Sequence, residues 1–235
     1  MRFPPALHRG RLVRRYKRFL ADMVLEDGAE ITAHCANPGS MMGVAPEGAT
    51  VWVSAHHGKG RKLPWSWELV EIDGALVAIN ANNPNRIAYE SIAAGAIPEL
   101  SGYAEVRREV KYGRASRIDL LLEGGRRRKP CYVEVKNVHL VREPGLAEFP
   151  DSVTARGAKH LVELTEQAND GARAVMLFIV QRGDCRRFRP AADLDPAYAQ
   201  GLAAAVAAGI EVLCYDCAVT TEEVVLRRAL PVLLD

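Results

Sequence analysis

Ser116-Arg117-Ile118-Asp119-Leu120-Leu121-Leu122 and Cys131-Tyr132-Val133-Glu134-Val135-Lys136-Asn137-Val138 are two strand-like runs separated by the turn-rich stretch Glu123 to Pro130. Apolar and β-branched residues on both sides of a Gly/Arg/Pro segment predict a hairpin. The midpoint between Asp119 and Glu134 falls between Arg126 and Arg127, inside the turn segment. A simple hairpin therefore sets the two carboxylates opposite each other, with Cβ atoms about 4.5–5.5 Å apart. Facing carboxylates repel, and one pKa rises unless a cation lies between them. Glu134 and Lys136 are two apart on a strand, so their side chains leave one face, and Val133 and Val135 leave the other toward a core.

Two acids and an ammonium group around one cation-sized gap suit phosphodiester hydrolysis. A hard divalent ion takes oxygen ligands, lowers the pKa of a bound water and offsets charge growing on the phosphate. A nearby lysine orients that water or neutralises the developing charge. An amphipathic hairpin with a surface Glu–Lys pair reads the same way locally.

Outward from the hairpin, residues 1 to about 82 read as all-β. Tyr16 to Leu25 is strand-like, Ile31 to Cys35 and Val51 to Val53 follow, and Leu63 to Ile72 pairs with Leu76 to Asn80 across Asp73-Gly74. Short strands at this spacing suggest a five-stranded, OB-like barrel. Trp65 and Trp67 share one strand face, where they either pack in the core or stack on bases. Asn83-Pro84 predicts a helix from Pro84 to about Ala94, with Glu90 at the edge of its inward face as a third acid or a surface glutamate.

Strands are expected over Ala104 to Tyr112, Arg117 to Leu122 and Tyr132 to Leu140, then a helix opened by Asp151 as N-cap and running to about Ala168. Ala174 to Val180 is continuously apolar, as for a strand covered on both faces. A helix over Asp195 to Ala208 leads to a strand over Ile210 to Tyr215, and the apolar tail Val224 to Leu234 reads as either a strand or a helix capped by Thr220 with Glu223. Strand, helix, strand implies a parallel crossover. The fold class is thus α/β (α+β): a barrel over 1–82, then a mixed sheet flanked by helices over 83–235.

Of 235 residues, 49% are hydrophobic and 26% charged, an ordinary globular balance. No apolar run approaches the roughly 20 residues of a membrane span. Five scattered cysteines, Cys35, Cys131, Cys185, Cys214 and Cys217, argue for reduced thiols and a cytoplasmic protein. Cys214-Tyr215-Asp216-Cys217 lacks the second pair or histidines that a zinc site wants. No Gly-x-Ser-x-Gly, P-loop or dinucleotide fingerprint occurs.

The net charge of +2 says little, but basic residues cluster. Arg15, Lys17 and Arg18 belong to an acid-free N-terminal stretch, and Lys59, Arg61 and Lys62 precede the two tryptophans. Arg126, Arg127, Arg128 and Lys129 lie in the hairpin turn. Arg156 and His160, one helical turn apart, either hold a phosphate near a helix start or pair with Glu163. Such patches attract phosphate backbones, although solvated surface explains basic runs equally well.

The order of Glu90, Asp119, Glu134-Val135-Lys136 and Gln181 along these elements resembles the restriction-endonuclease-like, PD-(D/E)XK, superfamily. More narrowly, the chain resembles the bacterial sugar fermentation stimulation protein A family. The matching blocks are Arg15 to Asp22, His34-Cys35-Ala36-Asn37-Pro38-Gly39-Ser40-Met41, Ser116 to Asp119, Tyr132 to Val138, and Phe149-Pro150-Asp151-Ser152-Val153-Thr154-Ala155-Arg156-Gly157. The resemblance implies a DNA-binding protein with an OB-like N-terminal domain and a nuclease-like C-terminal domain. It implies Mg²⁺ or Mn²⁺ on Asp119 and Glu134, with the Val135 carbonyl as a further ligand. Lys136 acts on the water, Glu90 is an outer or second-metal acid and Gln181 supports the site. The alternative is a non-cleaving DNA-binding regulator of sugar (maltose) metabolism. The superfamily's first acid maps to Asp119, which follows Ile118 rather than proline.

Overall fold

The computed structural model describes residues 1–3, 6–56, 62–113, 116–126 and 129–234. Its N-terminal part is a barrel. His8–Tyr16 (β1), Leu20–Leu25 (β2) and Glu30–His34 (β3) form an antiparallel meander, followed by Thr50–Ala55 (β4) and Trp65–Ile72 (β5). β4 pairs with β1, β5 pairs with β4, and a short parallel contact between Ala33 and Trp65 joins β5 to β3. The closed ring of five strands leaves few unpaired edges. Ala75–Ala78 (β6) folds back on β5 through Asp73-Gly74, both at positive φ (52° and 78°), the conformation that an Asp-Gly hairpin turn requires.

One expectation changes here and one alternative is decided. Tyr16 to Leu25 is not one strand: Lys17 and Arg18 take φ of 47° and 64°, the chain reverses, and the basic His8–Tyr16 stretch becomes β1. No Gly or Asn marks that turn, so local sequence carried no signal for it. The tryptophans are packing residues. Trp67 is fully buried with its indole N–H donating to the Leu69 carbonyl at 2.8 Å, and half-buried Trp65 meets His8 edge-on.

The C-terminal part opens with Asn83–Ala93 (α1), then Glu105–Tyr112 (β7), Ser116–Glu123 (β8) and Cys131–Val138 (β9) in antiparallel order. Leu140–Glu143 (β10) and Leu146–Phe149 (β11) form a side hairpin. Ala155–Asn169 (α2) crosses to Arg173–Val180 (β12), parallel to β9. Arg187–Pro190 (β13) joins β11, and Pro196–Ala207 (α3) leads to Glu211–Val219 (β14), parallel to β12. Val224–Ala229 (β15) returns antiparallel, so the ambiguous tail contains a strand. The sheet order is β15-β14-β12-β9-β8-β7.

α1 packs on one face of this sheet and α2 on the other, with α3 packed beside α2. Ala174 to Val180 at the centre is wholly buried, which is why the run has no polar alternation. Asp151 is not the α2 cap. Thr154 is, its side chain accepting from Gly157 N–H at 3.0 Å. Asp151 instead reaches the barrel, where its Oδ2 accepts the Met41 N–H at 2.8 Å. Ser40 Oγ donates to its backbone carbonyl at 2.7 Å.

Candidate functional site

The hairpin register pairs Leu120 with Val133, Leu121 with Tyr132 and Leu122 with Cys131. Continued one step, it sets Asp119 across from Glu134, the pairing expected from the turn midpoint. Backbone pairing ends there and the Asp119 side chain takes over: its Oδ2 accepts the Val135 N–H at 2.8 Å. From α1, Asn85 Nδ2 donates to Asp119 Oδ1 at 2.6 Å. Burial, then the neighbouring Glu134 charge, push the Asp119 carboxyl up to about 6, against the opposing pull of the Val135 N–H, Lys136 and Asn85.

Glu134 is 2% exposed. Lys136 Nζ donates to its Oε1 at 2.7 Å, and His160 Nδ1 touches the same oxygen. Lys136 Nζ lies 3.3 Å from His160 Nδ1, and Arg156 Nε donates to His160 Nε2 at 3.4 Å. With Nε2 accepting, the ring proton belongs on Nδ1, facing Glu134. Burial pushes Glu134 up, but His160 and Lys136 outweigh it and hold the carboxyl below its ordinary range. Glu134 Oε2 is buried without a hydrogen-bond partner. The buried hydroxyls of Tyr112 and Tyr198 also lack partners, and both phenols are pushed up by burial and then by the Glu134 charge.

Of the expected pair, His160 reaches Glu134 and Arg156 reaches His160, while Glu163 is engaged elsewhere, accepting from Ser116 Oγ. Glu90 is turned away. It is ion-paired with Arg86 at 2.7 Å and with the N-terminal amine at 3.0 Å. Asn85 and Glu90 are five residues apart, about 140° around the helix, so only one of them can face Asp119. Asn85 is the contact that sequence reasoning missed, and nothing local marks a bond 34 residues long. Gln181 follows β12, fully buried, and donates to Asn137 Oδ1 at 2.8 Å and to the Asn80 carbonyl at 3.2 Å rather than to the acids.

Of the basic residues, Arg15 is committed to the carbonyls of Arg18, Asn37, Gly39 and Ser40. Arg18 holds the Pro38 carbonyl, while Lys17 and Lys62 are exposed. Lys59, Arg61, Arg127 and Arg128 lie outside the described residues. Among the described residues, the cysteines are buried and form no disulfide, and no three His, Cys, Asp or Glu side chains are grouped as a metal-holding cluster. No described helix is long and apolar enough to cross a membrane.

Comparison with known proteins supplies the remaining context. The family model "Sugar fermentation stimulation protein RE domain" matches residues 82–223, and the model "SfsA N-terminal OB domain" matches residues 13–79. The sugar fermentation stimulation protein homolog of Maricaulis maris is 56% identical over 232 residues, covering 99% of this chain and 98% of the relative. That of Rhodospirillum centenum is 57% identical over 230 residues, 98% of each. The solved structure titled "The structure of Pyrococcus Furiosus SfsA in complex with Ca2+" is 28% identical, covers 99% of this chain and 97% of its own, and superposes with a TM-score of 0.86. A closed barrel joined to a mixed sheet, matched end to end by these relatives, places the chain in the sugar fermentation stimulation protein family.

Proposed function

We propose that the chain is a cytoplasmic, DNA-binding, metal-dependent phosphodiesterase of the restriction-endonuclease-like, PD-(D/E)XK type. One observation carries this reading: buried Glu134 and half-buried Asp119 lie side by side with an ammonium group 2.7 Å from Glu134, Glu134 Oε2 has no partner, and Asp119 is pushed up to about 6. That set fits a hard cation. Its donors would be the carboxylate oxygens, with the Val135 carbonyl as a further ligand, and two neighbouring acids are the electrostatics a divalent charge would relieve. Two acids suffice for Mg²⁺ or Mn²⁺, since small hard ions keep several waters. The Pyrococcus furiosus relative is described as a Ca²⁺ complex, which supports a hard-ion site in this fold.

When bound, the metal would supply Lewis-acid stabilisation of the phosphate and a more acidic water. The protein's own part is positional. Asp119 is fixed by Asn85 and the Val135 N–H, and Glu134 by His160 and Lys136. Lys136 orients the attacking water or balances charge on the phosphate. Arg156, exposed beside His160, is available to a neighbouring phosphate oxygen. A non-cleaving DNA-binding regulator of sugar (maltose) metabolism is the second reading, favoured by the family's description, which names stimulation and not hydrolysis.

The test is cleavage of DNA and RNA with Mg²⁺, Mn²⁺ or EDTA. We expect metal-dependent cleavage that falls by about 10²-fold or more in Glu134→Ala and Lys136→Ala while binding persists. Salt-dependent binding without cleavage under either metal would leave the regulator reading. Absence of salt-dependent binding to any nucleic acid would remove both.

A further inference from the structure

The barrel has a concavity, about 510 Å³ in volume, at the seam between β3 and β5. His34, Lys62, Ser66, Glu68, Asn80 and Asn82 contribute to its wall. A volume of this size lies in the range of small-molecule sites. Its floor is built. Glu68 is buried, its Oε1 accepting from Ser54 Oγ at 2.8 Å and its Oε2 from Asn80 Nδ2 at 3.1 Å. Each carboxylate oxygen retains a further acceptor site. The Ser66 hydroxyl, also buried, is held by His56 Nε2 at 2.9 Å. One wall is the exposed His34 ring, braced by Phe19, which stacks on it at 6.4 Å and 18°. Lys62, exposed, supplies a cation at the rim.

An aromatic face, a hydrogen-bonding floor with acceptors and donors, and an ammonium group at the mouth are the three elements that read a nucleotide: ring, base edge and phosphate. A buried carboxylate favours bases that present an exocyclic amine. Position supports the same ligand. Asn82 lines the concavity at the N-terminal boundary of α1, and Asn85, three residues on, holds Asp119. A helical rise puts those two residues about 5 Å apart along the axis. The concavity and the acid pair thus flank one helix start.

We propose that this concavity is a nucleobase pocket that accepts an unpaired base of a single-stranded segment whose backbone continues to the acid pair. Bases inside a duplex are stacked and paired on the edge that Glu68 and Asn80 would read, so only a single-stranded or flipped base can enter. The assignment rests on the nucleic-acid reading above and adds the strandedness of the substrate.

Binding in EDTA separates it from catalysis. A short fluorescein-labelled DNA single strand of mixed sequence and its blunt duplex are titrated by anisotropy against wild type, His34→Ala, Lys62→Ala and Glu68→Gln. The expected result is preference for the single strand, with about tenfold weaker binding in the variants, the loss of a stack or an edge contact. His34 and Lys62 are exposed, so their variants remain informative if Glu68→Gln unfolds. Equal affinity for duplex, or His34→Ala and Lys62→Ala binding like wild type, overturns the proposal. So does full competition by free nucleoside monophosphates, which would make the ligand a free nucleotide. If the single strand binds through these residues and nothing is cut with metal, the pocket stands and the hydrolytic reading alone fails.

Discussion

Asp216 on β14 and Glu134 on β9 are carboxylates buried in the same sheet, 0% and 2% exposed, yet they are built in opposite ways. Both oxygens of Asp216 are saturated: Arg227 Nε and Arg228 N–H donate to Oδ1 at 3.1 Å each, and both guanidinium groups reach Oδ2. The two arginines also hold the Gly183 and Cys185 carbonyls, stapling β15 to the loop after β12. At Glu134 one oxygen carries Lys136 and His160 while the other has no partner, and a second acid stands close enough to be pushed up. Burial of a charge therefore does not mark a site. Unmet valence beside a like charge does, because a folding role alone would have saturated it.

The largest effect should fall on the saturated centre. Asp216→Ala leaves the Arg228 N–H and two half-exposed guanidinium groups without their acceptor and should lower unfolding free energy by about 2–3 kcal/mol. Chemical denaturation measures this, and a cost below about 1 kcal/mol would remove the contrast with Glu134.

The opposite sign is expected at Asp119. Its folded-state carboxyl is pushed up to about 6, above the usual value near 4, so the native state holds the proton more tightly. Its stabilising contribution is complete below about pH 4 and is lost as pH rises through about 6. In EDTA, Asp119→Asn should remove that slope and be more stable than wild type at neutral pH, by up to about 3 kcal/mol. Added Mg²⁺ should then raise the melting temperature of wild type only. Parallel pH profiles for the two proteins would show that Asp119 is not a strained acid.

Asp151 lies between these cases. Burial pushes it up, but His139 and then the Met41 N–H outweigh this and hold its carboxyl at about 2. Its contribution is present above about pH 4 and lost as pH falls toward 2. Asp151→Ala should cost about 1–3 kcal/mol at neutral pH, since the Met41 N–H loses its acceptor. Hydrogen exchange at Met41 should accelerate, and unchanged protection would mean the two domains are not joined through this contact.

Glu90→Gln should do least. Its side chain is 40% exposed, and such pairs contribute under about 1 kcal/mol. Cleavage should stay within about twofold of wild type. A collapse as deep as that of Glu134→Ala would bring the α1 acid back into the site.

Much of this was legible locally. The Asp119/Glu134 register followed from the turn midpoint, the barrel from short strands and an Asp-Gly turn, and β12 from an unbroken apolar run, because each depends on neighbours in sequence. The turn at Lys17-Arg18 was not, since two non-glycine residues at positive φ leave no compositional trace. Nor were the roles of Arg15, Asp151 and Gln181 as ties between loops and domains, since each partner is a backbone or amide group from a distant segment.

Sequence alone determined the two acids, the lysine beside them and the strands that carry them, because side-chain alternation and hairpin register follow from the chain's own period. Tertiary structure decided which groups complete the centre: Asn85 instead of Glu90 from α1, and His160 with Arg156 from α2. Those choices depend on the angle at which each helix meets the sheet, and packing sets that angle, which no local pattern encodes.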